Sequence, residues 1–294
     1  MCSSDLKMVK IWICGSQGQL GQAINQVGDP LSFEFFNTDL DIQDITNLAT
    51  IMNFGTMNTP DVIVNCSGMT DFHECEGNPQ DAFNVNAVGA RNLAIVARKI
   101  GARLVQISTD DVFDGTSLSP YSEFDTPHPM TVYGKSKLAG ENFVREFNDR
   151  HFIIRSTWVY GAGTNFVTSF LSQIQRESTL SIASDQFGSP TSAIELAKFI
   201  LNIIQTSEYG TYHATCSGSC SRYAFAKEIM RLSGKRVRIK AVPTLQSEFS
   251  SVHPAFAVLD NTMLNLTGLY QFPGWKQALS DYIQEIGVNR NELV

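Results

Sequence analysis

The sequence predicts an α/β protein: a doubly wound parallel sheet joined to a smaller C-terminal α/β substrate unit. Three observations predict it. Short apolar runs alternate with segments of helical period through about residue 160. A glycine-rich turn joins the first run to the first helix. Beyond residue 160 the loops lengthen and the alternation fades. Strand–helix alternation of this kind puts helices over both faces of a parallel sheet.

The elements follow in order. Residues 9–14 form a short apolar run ending at Gly15, the pattern of a buried parallel strand. A helix is expected over about 19–27, a second strand over 33–37 and a third over 61–66. From 81 to 99 apolar residues recur at helical spacing through Phe83, Val85, Val88, Leu93, Val96 and Ala97, and Gly101 ends the helix. A fourth strand over 103–108, a helix over 132–147 and a fifth strand over 151–155 complete the alternation. In the second half, loops are expected at 161–163 and 185–190, and helices at 193–205, 223–233 and 274–286. Part of 190–220 is expected to pack back on the first sheet. Residues 1–8 read as a disordered lead, with Met8 a candidate start.

Composition narrows the function. A hydrophobic content of 43% excludes wholesale disorder. The net charge is −7, and the densest basic cluster, Lys235-Arg236-Val237-Arg238, lies in an alternating segment that reads as a strand. That is no footprint for a nucleic acid. An anionic cofactor stays compatible with an acidic chain, because backbone N–H groups can hold phosphates. The six cysteines, at 2, 14, 66, 75, 216 and 220, lack zinc spacing, and the histidines show no metal pattern, so no metal is expected. Free thiols, no signal peptide and no apolar stretch of ~20 residues point to a cytoplasmic protein without a membrane span.

The turn Gly15-Ser16-Gln17-Gly18-Gln19-Leu20-Gly21 has the spacing G-x-x-G-x-x-G between a strand and a helix. The first glycine permits the tight turn, the second lets a pyrophosphate approach the backbone, and the third lets helix pack on strand. Asp39 ends the second strand, where a carboxylate accepts hydrogen bonds from the adenosine ribose and repels a 2′-phosphate. This favours NADH over NADPH. Residues 1–160 are therefore read as a Rossmann-type dinucleotide-binding domain and 161–294 as mainly a substrate domain.

Tyr133-Gly134-Lys135-Ser136-Lys137 holds a Y-x-x-x-K pair at the start of a helix, where i and i+4 share a face. It follows Ser108-Thr109-Asp110-Asp111 at the carboxyl end of a strand, the side on which open parallel sheets bind ligands. A neighbouring ammonium is expected to lower the phenol pKa, so that Tyr133 donates a proton to a carbonyl oxygen as hydride reaches the carbon. Thr109 is expected to hydrogen-bond the same oxygen.

With these residues the chain resembles the extended short-chain dehydrogenase/reductases and, among them, the dTDP-4-dehydrorhamnose reductase family. Besides the glycine turn, the matching stretches include Thr38-Asp39-Leu40-Asp41-Ile42, Asn84-Val85-Asn86-Ala87, Ser108-Thr109-Asp110, Val112-Phe113-Asp114-Gly115, Val132 to Glu141, Arg155 to Gly161, and Asp185 to Thr191. The resemblance implies reduction of a 4-keto deoxysugar nucleotide, dTDP-4-dehydro-L-rhamnose to dTDP-L-rhamnose, with Tyr133, Lys137 and Thr109 catalytic. It implies Gly15, Gln17, Gly18, Gln19, Leu20 and Gly21 on the pyrophosphate side of the cofactor, Asp39 on its ribose, and Asp41 and Ile42 at its adenine. Cys66, Ser67, Gly68, Thr70, Asn86 and Ser108 line it further, with Tyr133 and Lys137. Thr70, Thr109, Asp110, Trp158 and Asn165 are implied at the substrate. The expected partner is a nucleotide sugar, bound by a monomer or homodimer. Asp111, His73, Arg222 and His253 depart from the family pattern on or near the substrate side. Two other readings fit the fold: a dinucleotide-binding regulatory subunit resembling that of methionine adenosyltransferase, and another sugar-nucleotide reductase or epimerase.

Overall fold

The computed structural model describes residues 8–247 and 254–287. The expected lead, save Met8, and His253 lie outside the described residues. The chain runs β1 (Val9–Cys14), α1 (Gln19–Val27), β2 (Phe33–Thr38), α2 (Leu48–Asn58) and β3 (Val62–Asn65). It continues through short helices α3 (Phe72–Gly77) and α4 (Pro79–Phe83) into α5 (Ala90–Ile100), β4 (Arg103–Thr109), α6 (Val132–Phe147) and β5 (His151–Ser156). The second half adds β6 (Val159–Tyr160), α7 (Phe166–Gln173), β7 (Thr179–Ala183), β8 (Phe187–Gly188), β9 (Thr191–Ser192), α8 (Ala193–Ile203) and β10 (Gly210–His213). It ends with β11 (Cys220–Ser221), α9 (Arg222–Ser233), β12 (Arg238–Val242), β13 (Phe256–Ala257), α10 (Thr262–Thr267) and α11 (Trp275–Glu285).

Six parallel strands form the main sheet in the order β10-β5-β4-β3-β1-β2. Successive side chains along a strand face opposite ways, and the two cores follow that period. Trp12 and Cys14, with Ile63, Leu104 and Ile153, face α2 and α5. Ile11 and Ile13, with Val62, Val64, Val105, Phe152 and Ile154, face the other way, into a core that also takes in α8, α9 and α11. The near-continuous apolar character of these strands is what burial on both faces requires. The strand order reverses between β1 and β3, and the crevice there, at the carboxyl ends, is where the glycine turn lies.

β10 returns from the second half to pair with β5. Outside the main sheet, β6 pairs with β9, β7 with β12, and β8 lies between β11 and β13.

The expected helix over 81–99 is present as one continuous helical run from Pro79 to Ile100, but with a π-turn inside it. Residues Asn84–Gly89 form a wide π-turn between α4 and α5. Apolar periodicity cannot register a turn that gains one residue. At this turn α6 comes close: a Cβ at Gly140 would lie 2.4 Å from the Asn86 carbonyl oxygen. The basic cluster is also only partly in a strand, since β12 begins at Arg238.

Candidate active site

The turn after β1 fits its glycines closely. Gly15 has φ +77°, and a Cβ there would lie 2.8 Å from the Ser67 nitrogen. A Cβ at Gly21 would lie 2.4 Å from the Gly15 carbonyl oxygen. Gly18 is different: its Cβ would meet only that oxygen, at 3.4 Å, so its outer side is open. Gly18 caps α1, and no side chain closes that end. The N–H groups of the first turn are thus left for a ligand, and the helix dipole favours an anion there.

Two cavities meet at this turn. One, of about 310 Å³, runs from Gly15 and Gly18 past Asp39 and Leu40 to Gln43–Thr46. The other, of about 510 Å³, runs from Gly18, Gln19 and Leu20 past Thr70 and Phe72 to Thr109, Tyr133 and Trp158. Gly18, Cys66 and Gly68 line both. Asp39 accepts hydrogen bonds from the backbone N–H of Gln17 at 3.0 Å and of Leu40 at 3.1 Å, which ties the end of β2 to the glycine turn. Asp41 and Ile42 are exposed and stand outside the lining, which continues instead through Gln43. The Oε1 atoms of Gln19 and Gln43 are buried without a partner, one on each cavity. Unpartnered buried oxygens are costly, and here they mark places where a bound molecule supplies the donor. The open Gly18, the uncapped helix and these two oxygens fit a dinucleotide.

Asn86 holds the loop after β3. Its amide oxygen accepts from the Met69 N–H at 2.9 Å, and its nitrogen donates to the Met69 carbonyl and the Ser136 hydroxyl, each at 2.9 Å. Asn86 therefore shapes the wall formed by Gly68 and Thr70 rather than forming it.

The catalytic candidates converge on the larger cavity. Thr109 ends β4, and Tyr133 lies in the first turn of α6, which is capped by the Thr131 hydroxyl accepting from the Gly134 N–H. Gly134 lets α6 approach, for a Cβ there would lie 2.1 Å from the Asp111 carbonyl oxygen. Thr109, Asp110, Asp111 and Tyr133 all line the cavity. Thr109 Oγ1 accepts from the Asp111 N–H at 3.2 Å and donates to Asp110 Oδ1 at 3.0 Å, so it closes a turn as well as facing the cleft. Burial pushes the Asp111 carboxyl up to about 7.

The expected acidification of Tyr133 by Lys137 is not found. Burial first, then the nearby Asp111, raise the phenol above its ordinary value, and its hydrogen bond with Thr109 offsets only part of this. Lys137 is itself buried and donates to the Ile107 carbonyl oxygen at 2.6 Å. Burial lowers its pKa to about 8 against the opposing pull of Glu141. Beneath the pair, Glu141 accepts from Arg155 through both oxygens, at 2.9 and 2.7 Å, from Ser108 at 2.6 Å and from Arg145 at 2.9 Å. Ser108 is thus fixed from below while lining the cavity.

On the substrate side, Trp158 follows β5 with φ +45°, a left-handed backbone uncommon for a bulky residue. Its ring lies so close to Gly188 that a Cβ there would meet it at 2.5 Å. Asp110 accepts from the Thr157 hydroxyl at 2.9 Å. Asn165 is not brought to the cleft. It caps α7, accepting from Val167 and Thr168, and its nitrogen donates to the Gly161 and Gly163 carbonyls and the Tyr282 hydroxyl. A side chain so engaged has no capacity left for a sugar. The sequence reading missed Gln43, Phe72 and the Glu141–Arg155 pair. Gln43 lies beside the quoted Asp39–Ile42 run, and Glu141 and Arg155 stand inside quoted motifs, but nothing in a linear sequence pairs them.

A parallel sheet with a glycine cradle at its switch point, beside a tyrosine, a lysine and a threonine on one cleft, defines a nicotinamide-dependent oxidoreductase. The model of the RmlD substrate binding domain matches residues 9–288, and the chain belongs to that family. It is 34% identical to the spore coat polysaccharide biosynthesis protein SpsK of Bacillus subtilis, over 95% of this chain and 98% of the relative. Two crystal structures superpose with a TM-score of 0.92, each over 95% of this chain and 99% of theirs. One is a dTDP-4-dehydrorhamnose reductase from Clostridium acetobutylicum, 40% identical, and the other a dTDP-4-dehydrorhamnose reductase from Bacillus anthracis in complex with NADP, 35% identical.

Proposed function

We propose that the protein reduces the 4-keto group of a dTDP-linked deoxysugar, with dTDP-4-dehydro-L-rhamnose as substrate and dTDP-L-rhamnose as product. The observation that carries this is the shared wall: Thr109 and Tyr133 face one cavity that is continuous, through Gly18, Cys66 and Gly68, with the dinucleotide cradle. The names of the two solved relatives support the substrate, and that of SpsK supports a role in polysaccharide biosynthesis.

The bound dinucleotide supplies hydride. Gly18, Gln19 and Leu20 hold its pyrophosphate by backbone N–H groups, and Asp39 its adenosine ribose. Tyr133 donates the proton to the keto oxygen, and Thr109 orients that oxygen by a hydrogen bond. Lys137 stands behind Gly68, with its Nζ 3.7 Å from where a Cβ of that glycine would lie, and holds positive charge beside the nicotinamide ribose. Asp110 and Trp158 flank the sugar. The Asp39 carboxylate favours NADH. We assign the dinucleotide mainly to residues 1–160 and the substrate mainly to 161–294, in a cytoplasmic monomer or homodimer.

The test is NADH and NADPH oxidation followed at 340 nm with dTDP-4-dehydrorhamnose. Stoichiometric oxidation with formation of dTDP-rhamnose is expected. Tight cofactor binding without oxidation by any 4-ketosugar nucleotide, or isomerised product without net oxidation, would overturn the reading.

A further inference from the structure

Arg222 opens α9 and is 8% exposed. Its guanidinium carbon lies 3.5 Å from the centre of the Trp158 ring and 4.7 Å from that of Phe166. Among the described residues no carbonyl, hydroxyl or carboxylate accepts a hydrogen bond from this guanidinium, and no acid forms an ion pair with it. Arg155, more deeply buried at 2% exposure, shows the ordinary arrangement: both Glu141 oxygens accept from it. Asp110 favours the charged form from a distance without pairing with it, and neither that attraction nor stacking on an aromatic face offsets the whole cost of taking the charge out of water. Burial draws the pKa of Arg222 down to about 9, so it still carries its charge at neutral pH.

The surroundings say which partner is missing. Trp158 lines the catalytic cavity, so Arg222 stands one ring's thickness from it. Neither cavity has a lysine or arginine in its lining, and both have aspartates. A cofactor pyrophosphate is provided for by the backbone at Gly18. The substrate's own phosphates are not. The start of α7 is closed by the Asn165 capping box, and that of α9 by the Ser221 hydroxyl accepting from the Ala224 N–H at 3.1 Å. The sugar ring belongs beside Thr109 and Asp110, and the acid there turns a phosphate away toward Trp158. A planar guanidinium suits two oxygens of a diphosphate at once.

We infer that Arg222 anchors the diphosphate of the nucleotide substrate, at the rim formed by Trp158. This rests on the reading of the cleft as a nucleotide-sugar site, and makes Arg222 a binding residue for that substrate.

Calorimetric titration of the full-length protein with thymidine diphosphate, and separately with thymidine, tests it in wild type, Arg222→Met and Arg222→Lys. The methionine variant should bind thymidine diphosphate at least tenfold more weakly, with NADPH affinity and thymidine affinity within twofold of wild type. The lysine variant should fall between, and the salt dependence of diphosphate binding should flatten in the methionine variant. Unchanged diphosphate affinity in the methionine variant overturns the inference, as does a wild type that does not bind thymidine diphosphate. If the methionine variant loses NADPH binding and its melting transition, the lysine variant decides: no weakening there, at any salt, overturns the inference. A wild type that binds thymidine diphosphate through Arg222 but reduces no ketosugar leaves this site standing and removes only the proposed reaction.

Discussion

Lys137 donates its ammonium to the carbonyl oxygen of Ile107, and no hydrogen bond joins it to the Tyr133 phenol one helical turn earlier. The lysine is anchored to the sheet, and its pKa of about 8 reflects burial. In the unfolded chain the value is ~10.4. Between the two, the unfolded chain holds a proton that the folded protein lacks, so stability gains as pH rises through this window. Lys137→Met removes the effect. Melting temperatures from pH 7 to 10 should rise for wild type relative to the variant. A constant difference would count against the depressed value. Turnover, in contrast, should fall in wild type as pH rises past about 8.

Tyr133→Phe removes the proton donor and little else, since the ring keeps its place 5.0 Å from Phe72. Turnover should fall ~10²–10⁴-fold, the range for general acid catalysis, with cofactor affinity retained. Steady-state kinetics with a fluorescence titration of NADH decides it, and unchanged turnover refutes the assignment.

Asp39→Ala should shift the ratio of kcat/KM for NADPH over NADH upward about tenfold, a change of ~1.4 kcal/mol. The carboxylate also braces Gln17 and Leu40, so affinity for both cofactors should weaken somewhat. A ratio that does not move means the carboxylate serves only the turn.

Gly18 and Gly21, three residues apart in the motif, should fail in different ways. Gly21→Ala drives a methyl against the Gly15 carbonyl and should destabilise the protein by ~1–3 kcal/mol in urea unfolding. Gly18→Ala makes only an ordinary contact with the Gly15 carbonyl oxygen, at 3.4 Å, and should leave the unfolding curve nearly unchanged while abolishing cofactor binding. Equal behaviour of the two variants would contradict the cradle.

Glu141→Gln leaves Arg155 buried without its full counter-charge and should cost roughly 3–5 kcal/mol. The arginines hold the Glu141 pKa below its ordinary value, outweighing burial. Its contribution is therefore present above the unfolded value of ~4.3 and is lost as pH falls through the folded one. The stability advantage of wild type over the variant should therefore shrink as pH falls below ~4.3, and an advantage that stays constant through acid unfolding would count against this reading of the charge.

Local signals carried much of this. β1 and α6 fall where apolar runs, caps and glycines put them, because a short buried strand and a capped helix are decided by near neighbours. The glycine turn, Thr109 and Tyr133 were legible for the same reason. The π-turn at Asn84–Gly89, the Asn165 cap and the raised Tyr133 phenol were not. Each depends on what arrives from elsewhere in the chain: Met69 onto Asn86, Tyr282 onto Asn165, and the burial of Tyr133 with Asp111 beside it. Arg222 stood out in the sequence as a departure, but only coordinates bring it against Trp158.

The position of β10 has a practical outcome. After building the outer side of the cleft, the chain threads back and lays Gly210–His213 along β5 as the outermost strand. A fragment cut near residue 160 would leave β5 as a naked edge with apolar flanks, ready to recruit any passing strand. Attempts to carve out a minimal nucleotide binder from this protein should therefore yield aggregates, whereas a circular permutant that keeps this strand in place should stay in solution.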